Sequence, residues 1–452
     1  MRYLPITERE KKEMLEKIGV SSIKELFAPV PGEIMLKEKL NLPESKSEME
    51  IEHYMSDLAK KNTGSEMLSF LGGGAYRHYS PSVVDQLLLR GEFFTAYTPY
   101  QPEVSQGTLQ TIFEFQTMMA NLFKMDVANA SMYDGSTAAA EAVLMAAKIN
   151  KKRTKVVIAS TMHPQYIETV KTYTGFLVDE IVLMEMDPDT GKTDEKELSK
   201  IDDSTICVLF QYPNYFGAIE DCDLISAKAK EQGALVIPVI AEGTSLGILK
   251  APGEFDADIA VGEGQAFGLP LHFGGPGLGI FTCKEKYVRK MPGRLVGKTL
   301  DRNGNECFVL TLSAREQHIK REKATSNICT NQGLMATAAS MYLAAMGKEG
   351  LKKVALMNLK RASYLKDNIE AKTNCKTAFS GHIYNEFAIL SPKDGEETLN
   401  ALKKEGVLGG IPVKKYYPEL SSMIIVNTTE IHSYKDIDRF VSILAKVTGG
   451  ES

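Results

Sequence analysis

The chain has 452 residues, of which 43% are hydrophobic, and its 53 Lys and Arg against 58 Asp and Glu give a formal net charge of −5. At roughly 100–200 residues per domain, this length allows about two to four domains with sizeable cores and excludes a disordered or collagen-like chain. Because the charge is mildly negative and both signs are interleaved, we expect no nucleic acid among the partners.

The sequence indicates neither a membrane span nor a metal site. The N-terminal stretch becomes charged before any apolar run develops, which is unlike a signal peptide and favours the cytoplasm. The long uncharged stretches Gly264–Cys283 and Ala324–Gly347 are interrupted by Gly and Pro or by amide residues, so we expect no contact with a membrane. The six Cys are at least 15 positions apart, and the seven His form no HExxH motif. We therefore expect reduced thiols and no metal.

Hydroxyl residues followed three positions later by Glu predict helix starts near the N-terminus. The pairs are Thr7 with Glu10, Ser22 with Glu25, and Ser47 with Glu50. We therefore predict an all-helical arm over residues 1–65. An arm of this size either wraps a neighbouring subunit or packs on its own domain.

From Met125 onward, short apolar runs alternate with amphipathic helices, which is typical of an α/β fold. Several runs are apolar on both faces, and this favours a mostly parallel sheet covered by helices on each side. We predict a large α/β domain over residues 66–332. Its predicted strands are Ala128–Tyr133, Lys155–Ala159, Glu180–Met184, Ile206–Gln211, Ala234–Ile240, Asp258–Val261 and Gly279–Cys283.

A polar segment, Glu316–Gln332, leads into a helix of small residues, Gly333–Met346, which we predict to bridge two domains. The pattern that follows predicts a smaller C-terminal α/β domain, so that the bridging helix and this domain cover residues 333–452. Its predicted elements are helix Gly350–Ala371, strand Glu386–Leu390, helix Glu396–Glu405, strand Ser422–Val426 and helix Ser433–Val447.

Two loops at the carboxyl ends of predicted strands carry candidate ligand-binding residues. The first opens an Ala-rich helix with Gly135, Ser136 and Thr137, whose backbone N–H and hydroxyl groups suit a phosphate. The alternative is an ordinary helix cap formed by Asp134 or Ser136. The second loop holds His163, which either stacks on a flat cofactor, acts as an acid or base, or has a structural role.

Four motifs resemble the P-protein of the glycine cleavage system. They are Ala96–Gly107 (AYTPYQPEVSQG), Phe210–Pro213 (FQYP), Met291–Arg294 (MPGR) and Arg315–Thr330 (REQHIKREKATSNICT). The resemblance is to the amino-terminal half of that protein, or its subunit 1, and extends over nearly the whole chain. It implies the fold-type I architecture of pyridoxal phosphate (PLP) enzymes, with a large, mostly parallel seven-stranded sheet sandwiched by helices.

The resemblance also implies a reaction and a set of partners. Glycine is decarboxylated with release of CO₂, and the remaining aminomethyl group passes to the lipoyl group of the H-protein. The implied partners are a Lys-bearing P-protein subunit 2, the lipoylated H-protein and, functionally, the T- and L-proteins of the same system.

A PLP enzyme of this fold needs a Lys for the Schiff base and an acid beside the pyridine nitrogen. Alignment with the catalytic half of the family places Gln265 at the Lys position and Val239 at the acid position. A Gln amide cannot form a Schiff base. The resemblance therefore implies a degenerate cofactor site in this chain, formed by Gln265, Val239, Gly135, Ser136 and Thr137. PLP would be held covalently by the partner in a heterodimer or heterotetramer, and this chain would be inactive alone.

We expect two segments to line the pocket of the partner subunit. Tyr97 and Tyr100 would bind the glycine carboxylate or orient the cofactor–glycine adduct; the alternative is that they only pack an interface. Residues 325–327 form the second candidate lining, and Arg315 and His318, upstream of them, are candidate contacts for a carboxylate or the lipoyl arm. The full candidate set is Tyr97, Thr98, Tyr100, Gln101, His163, Arg315, His318, Thr325, Ser326 and Asn327.

Two other functions stay open on the sequence alone. The chain could be a structural or regulatory paralogue that stabilises the partner or docks the H-protein. It could also be a self-sufficient PLP decarboxylase or aminotransferase that uses a Lys elsewhere in the sequence.

Overall fold

The computed structural model of the chain describes residues 5–271 and 273–449. The chain divides into two compact units, one ending at Ser65 and the other beginning at Glu66. Within the described ranges, no helix is long and apolar enough to cross a membrane. The division after residue 332 stays a prediction.

The N-terminal unit contains helices α1 (Glu8–Ile18) and α2 (Glu48–Lys60). Capping boxes at Thr7 and Ser47 begin these two helices, as the sequence predicts. Ser22 instead precedes a short 3-10 turn, and its side chain makes no cap bond to the backbone. An all-helical arm is wrong for residues 28–47, which form turns and irregular backbone. Three prolines in this stretch disfavour a helix there.

Among the described residues, the second unit contains the other α-helices and every strand. Its helices are α3 (Ser82–Leu88), α4 (Gly91–Phe94), α5 (Gln106–Phe123), α6 (Gly135–Ile149), α7 (Pro164–Thr174), α8 (Cys222–Glu231), α9 (Gln317–Lys320), α10 (Gly333–Lys372), α11 (Gly395–Lys404) and α12 (Tyr434–Thr448). Its strands are β1 (Leu68–Ser69), β2 (Val127–Ala128), β3 (Lys155–Ala159), β4 (Glu180–Met184), β5 (Thr205–Gln211), β6 (Leu235–Ile240), β7 (Ile259–Glu263), β8 (Gly279–Cys283), β9 (Leu295–Leu300), β10 (Glu306–Thr311), β11 (Lys376–Thr377), β12 (Glu386–Leu390), β13 (Val407–Leu408), β14 (Ile411–Pro412) and β15 (Met423–Asn427).

The main sheet has seven strands in the order β2-β8-β7-β6-β5-β3-β4. The five strands from β7 to β4 are parallel, and β8 runs antiparallel to both of its neighbours. This arrangement confirms the predicted mostly parallel seven-stranded sheet.

The first predicted strand, Ala128–Tyr133, is wrong beyond Ala128. The side chain of Asn129 accepts a hydrogen bond from the backbone of Ser131, and Ala130 N donates to Arg294 O at 2.9 Å. These bonds turn the backbone away from the sheet. Only Met132 returns to form a single bridge with Gly279.

Both faces of the main sheet are buried. Along β3, Val157 and Ala159 pack on one face in a core that includes α5, α8 and α10. Val156 and Ile158 pack on the other face against α6 and α7. Because both faces are covered, the strands have continuous apolar runs rather than alternating ones.

The C-terminal part of the second unit begins within α10. Gly347 has φ +59° and ψ −178°, so the first segment of α10 ends where the bridging helix was predicted to end. The following segments form a four-stranded antiparallel sheet in the order β11-β12-β15-β14. Phe387, Val426 and Phe440 are in its core. The predicted strand Glu386–Leu390 is confirmed without change of bounds.

Candidate functional site

Gln265 holds the backbone of Tyr76. Its Oε1 accepts from Tyr76 N at 3.0 Å, and its Nε2 donates to Tyr76 O and to Leu269 O, both at 2.9 Å. A Lys ammonium only donates hydrogen bonds, so it could not accept the Tyr76 N–H. The residue at the predicted Lys position therefore forms a bonding pattern that a Lys cannot reproduce.

Val239, at the predicted acid position, is a fully buried residue of β6. Glu242, the next acid along the chain, is bonded elsewhere, with its Oε2 3.0 Å from His78 Nε2. His78 Nδ1 lies 2.8 Å from Glu430 Oε2. Burial lowers the pKa of His78, but attraction and hydrogen bonds from Glu242 and Glu430 raise it to about 10. Glu242 is thus half of a buried ion pair rather than a replacement for the missing acid.

His163 is bonded through both ring nitrogens. Its Nδ1 accepts from Gln165 N at 3.1 Å, which caps α7, and its Nε2 donates to Gly73 O at 2.9 Å. Gly74 covers the ring so closely that an added Cβ would lie 3.1 Å from the imidazole. Burial lowers the pKa of His163. These contacts are those of the structural alternative, and they leave no open ring face on the Gly74 side.

A buried carboxylate lies at the start of α6. The side chain of Glu263, the last residue of β7, accepts three backbone hydrogen bonds. Its Oε2 accepts from Gly135 N at 2.9 Å, and its Oε1 accepts from Leu278 N at 2.8 Å and Gln265 N at 3.1 Å. We call these three converging N–H groups the α6 cradle. Burial raises the pKa of Glu263 above its ordinary value, and the bonds from the cradle only partly oppose that shift.

A second carboxylate caps the same helix. Asp134 Oδ1 accepts from Thr137 N at 2.7 Å and from Ser136 Oγ at 2.8 Å. Thr137 Oγ1 in turn accepts from Asp134 N at 3.2 Å, which completes a capping box. Gly135 N, Thr137 N and the hydroxyls of Ser136 and Thr137, which would suit a phosphate, are therefore bonded within the chain.

These residues do not fit PLP. Gly135, Ser136 and Thr137 direct their polar groups to carboxylates of this chain, and two carboxylates close to the helix start repel an incoming phosphate. Gln265 and Val239 supply neither a Schiff-base nitrogen nor an acid. No reaction step through PLP is therefore assigned to this chain.

The loop around Tyr97 and Tyr100 is exposed above a buried cation. Tyr97 is 80% exposed and Tyr100 57%, whereas Arg294 is only 3% exposed. Arg294 Nη2 lies 3.4 Å from the Tyr100 hydroxyl, and its guanidinium carbon lies 5.4 Å from the ring centre. Its Nη1 donates to Asn331 Oδ1 at 3.4 Å, and its Nε lies 3.9 Å from Glu316 Oε2. Arg294 therefore connects the exposed loop to the segment before α10.

A cavity of about 140 Å³ lies between this loop, α5 and the start of α10. Its lining combines threonine hydroxyls with apolar groups and carries no charged residue. The lining residues are Phe93, Ala96, Tyr97, Thr98, Pro99, Thr108, Thr111, Ile112, Thr330, Asn331, Gly333, Leu334 and Thr337. Tyr100 and Gln101 lie outside this lining. Two motifs far apart in sequence thus meet around one cavity.

Residues 325–327 lie against α6 rather than in this cavity. Lys148 Nζ donates to Thr325 O at 2.8 Å, and Ser326 Oγ donates to Glu141 Oε1 at 2.8 Å. Burial raises the pKa of Glu141 to about 7, although the bond from Ser326 lowers it. Asn327 is exposed. The structure therefore separates Thr325, Ser326 and Asn327 from the two exposed tyrosines.

Arg315 and His318 have different surroundings. The Arg315 guanidinium donates to Met291 O, and its Nε and Nη2 have no hydrogen-bond partner among the described residues. Burial lowers the pKa of Arg315. His318 is exposed, with its Nδ1 3.8 Å from Glu316 Oε2. Arg315 therefore supports the Met291–Arg294 turn, while His318 is accessible from outside.

Among the residues that the structure describes, no group of three or more His, Cys, Asp and Glu side chains is placed to hold a metal ion. Burial also raises the pKa of the Cys283 thiol to about 12, which disfavours its reactive thiolate form.

Neither Glu263 nor Arg294 was among the predicted site residues. Glu263 ends an apolar strand between two glycines, and an acid in that position is unusual enough to draw attention. Arg294 ends the MPGR motif, but its burial became visible only in the fold.

Comparisons with known proteins agree on one family. The model of the glycine cleavage system P-protein family matches residues 1–444. The chain is 48% identical over 445 residues to a probable glycine dehydrogenase (decarboxylating) subunit 1 of Geobacillus thermodenitrificans, covering 98% of both chains. It is 47% identical over 449 residues to the protein of the same description from Brevibacillus brevis, covering 99% of both.

Solved structures give the same result at the level of the fold. A crystal structure of glycine decarboxylase (P-protein) of the glycine cleavage system, in inhibitor-bound form, matches with a TM-score of 0.91 and 41% identity over 99% of this chain and 100% of that one. A sphingosine-1-phosphate lyase from Burkholderia pseudomallei matches with a TM-score of 0.69 at 14% identity, which shows the fold alone. These matches confirm the fold-type I architecture. The chain belongs to the glycine cleavage system P-protein family and matches its subunit 1 over nearly its full length.

Proposed function

We propose that this chain is the subunit of a heteromeric, decarboxylating and aminomethyl-transferring glycine dehydrogenase that carries no PLP and completes the pocket of a Lys-bearing partner. One observation carries the proposal. The position at which the family's cofactor Lys is expected holds Gln265, whose amide is bonded to Tyr76 and Leu269. The similarity to subunit 1 relatives over nearly their whole length supports the same role.

The chain contributes binding groups to the shared pocket. Tyr97 and Tyr100 donate hydroxyl hydrogen bonds to the glycine carboxylate, and their exposure of 80% and 57% leaves them available to an approaching partner. Thr98 and Gln101 offer a further hydroxyl and an amide on the same loop. The buried charge of Arg294 behind Tyr100 favours an anion at this surface.

The reaction is divided between the two chains. PLP held by the partner would supply an electron sink for the negative charge that develops on glycine as CO₂ leaves. The aminomethyl group then passes to the lipoyl arm of the H-protein, and the T- and L-proteins act on the later products. On this chain, His318 and Asn327 are exposed and are proposed to contact the arm. The proposal places the assembly, a heterodimer or heterotetramer, in the cytoplasm.

Reconstitution tests this function. The chain and a subunit 2 of the same family are purified separately, and glycine-dependent exchange of labelled CO₂ is measured with lipoylated H-protein. We expect this chain alone to be inactive and to show no PLP absorbance, and the mixture to be active. Full activity of subunit 2 without this chain would contradict a role in the pocket and support a structural paralogue. Activity of this chain alone with PLP would support a self-sufficient enzyme.

A further inference from the structure

We infer that the side-chain carboxyl group of Glu263 occupies a phosphate-type cradle, so that this chain excludes phosphate-bearing ligands from the start of α6 by filling the site itself. The inference concerns this chain alone and goes beyond its proposed role beside a partner subunit.

The α6 cradle is assembled from three separate segments. Gly135 N belongs to the first turn of α6, Gln265 N to the loop after β7, and Leu278 N to the approach to β8. Backbone N–H groups that converge on one point, with a helix N-terminus among them, are a general way to bind a phosphate. Here all three donate to the two oxygens of one carboxylate.

Capping of α6 accounts for only one of the three bonds to the Glu263 carboxyl group, the bond from Gly135 N; Gln265 N and Leu278 N lie outside the helix. Asp134 already caps that helix through Thr137 N and Ser136 Oγ. A buried carboxylate also carries a large desolvation cost unless several donors compensate it. The three donors of the cradle give that compensation, which is why an additional acid is stable at a site that a helix cap does not require.

The fit around the carboxylate is close. An added Cβ on Gly277 would lie 3.3 Å from Glu263 Oε2 and 2.9 Å from Asp134 Cβ. An added Cβ on Gly135 would lie 3.1 Å from Glu263 Cβ and 2.4 Å from the Tyr166 hydroxyl. Two glycines thus allow the backbone to pack closely against Glu263.

Removal of the carboxylate should therefore leave the three N–H groups of the α6 cradle free to bind a phosphate. The test compares wild type with Glu263→Ala, using inorganic phosphate as the probe and chloride at equal ionic strength as the reference. A matched control is Glu220→Ala. Glu220 is also buried, but it accepts one backbone bond, from Thr193 N, and two from side chains. Phosphate uptake is measured by equilibrium dialysis, and stability by the thermal unfolding midpoint.

We expect both variants to unfold at lower temperature than wild type in chloride. Millimolar phosphate should raise the midpoint of Glu263→Ala by about 1–2 °C, since a ligand at roughly ten times its Kd stabilises a chain of this size by that amount. Glu263→Ala should also take up one more phosphate per chain than wild type. Glu220→Ala should gain neither. If Glu263→Ala takes up no more phosphate than wild type, or no more than Glu220→Ala, the inference is wrong.

Refolding yield replaces the midpoint if Glu263→Ala is insoluble in chloride. The soluble yield of this variant should then rise several-fold in phosphate buffer, while that of Glu220→Ala stays the same. An equal response of the two variants would show that Glu263 only fills space, and would overturn the inference.

Discussion

The guanidinium carbon of Arg294 lies 5.4 Å from the centre of the Tyr100 ring, within the range of a cation–π contact. Arg294, the residue before β9, is buried, whereas Tyr100 is mostly exposed. The contact therefore restrains an exposed aromatic ring from its buried side. The same guanidinium donates a hydrogen bond to Asn331 Oδ1, so it restrains the Asn331 side chain as well.

Replacement of Arg294 should impair the shared pocket. Arg294→Lys keeps the charge but loses the planar group that reaches Tyr100 and Asn331 together. We expect activity of the reconstituted enzyme to fall about tenfold, which corresponds to about 1.4 kcal/mol. The measurement is CO₂ exchange with a fixed excess of subunit 2.

Arg302→Lys, in the exposed turn between β9 and β10, is the control and should have wild-type activity. Wild-type activity of Arg294→Lys as well would show that the contact with Tyr100 does not matter for the reaction.

Tyr97→Phe and Tyr100→Phe each remove one exposed hydroxyl. A hydrogen bond to a charged group contributes about 1.5–3 kcal/mol, so loss of a bond to the glycine carboxylate should lower kcat/KM roughly 10- to 100-fold. The unfolding free energy should change by less than about 0.5 kcal/mol for Tyr97→Phe, whereas Tyr100→Phe also loses the hydrogen bond from Arg294 Nη2 and should cost about 1 kcal/mol.

Tyr434→Phe, at a tyrosine that is 50% exposed on α12, is the matched control for these two variants. If Tyr97→Phe, Tyr100→Phe and the control all retain wild-type kcat/KM, the two tyrosines only pack an interface.

The fold was largely predictable because the main sheet is buried on both faces. The apolar runs of β3 and β8, which are buried along their whole length, predicted their bounds without error. The bounds of the half-buried edge strand β4 were also predicted without error. The error after Ala128 has a non-local cause, since Ala130 N bonds to Arg294 O from a distant part of the chain. No local pattern carries that information.

The candidate site also has features that the sequence could predict and features that only the fold reveals. That Gln265 cannot form a Schiff base follows from its residue type alone. That it holds Tyr76 instead, 189 positions away, depends on how the fold brings the two together. The bond between Glu263 and Gly135, 128 positions apart, was hidden for the same reason.

Gln265→Lys should not create a cofactor site. The new ammonium could not accept the Tyr76 N–H, and an unpaired buried donor costs about 1–3 kcal/mol. Glu263 would still fill the α6 cradle and Val239 would still offer no acid. We expect a lower unfolding free energy in urea and no specific label after borohydride reduction with PLP and peptide mapping.

Subunit 2, treated in parallel, is the positive control for this labelling. A single peptide of Gln265→Lys labelled at position 265 with the same yield would contradict the view that the site is closed to PLP.

The buried pairs of His78 make stability depend on pH. Burial lowers its pKa, but Glu242 and Glu430 raise it from the ordinary 6.5 to about 10. The folded chain therefore binds this proton more tightly than the unfolded chain. The resulting stabilisation is complete below about pH 6.5 and is lost as the pH rises towards 10.

Glu386 also makes the folded chain less stable as the pH rises, but over a lower pH range than His78. Burial raises its pKa to about 8, although bonds from Gly73 N and the Tyr76 hydroxyl lower it. The folded chain thus favours the protonated carboxyl, and stability decreases as the pH rises from about 4.5 to 8. Together, the two groups predict an unfolding midpoint that falls steadily from pH 6.5 to 10.

His78→Gln separates the two contributions. The amide keeps hydrogen-bonding capacity towards Glu242 and Glu430 but carries no charge, so the variant should be less stable at pH 7. It should also lose less stability than wild type between pH 8 and 10, because it has no imidazole to lose a proton in that range. Glu386 adds little to the pH dependence there, since its contribution is largely lost by about pH 8. The measurement is the thermal midpoint at intervals of one pH unit, with His382→Gln, at an exposed His, as the control. Parallel pH curves for wild type and His78→Gln would show that His78 does not stay charged in the folded chain.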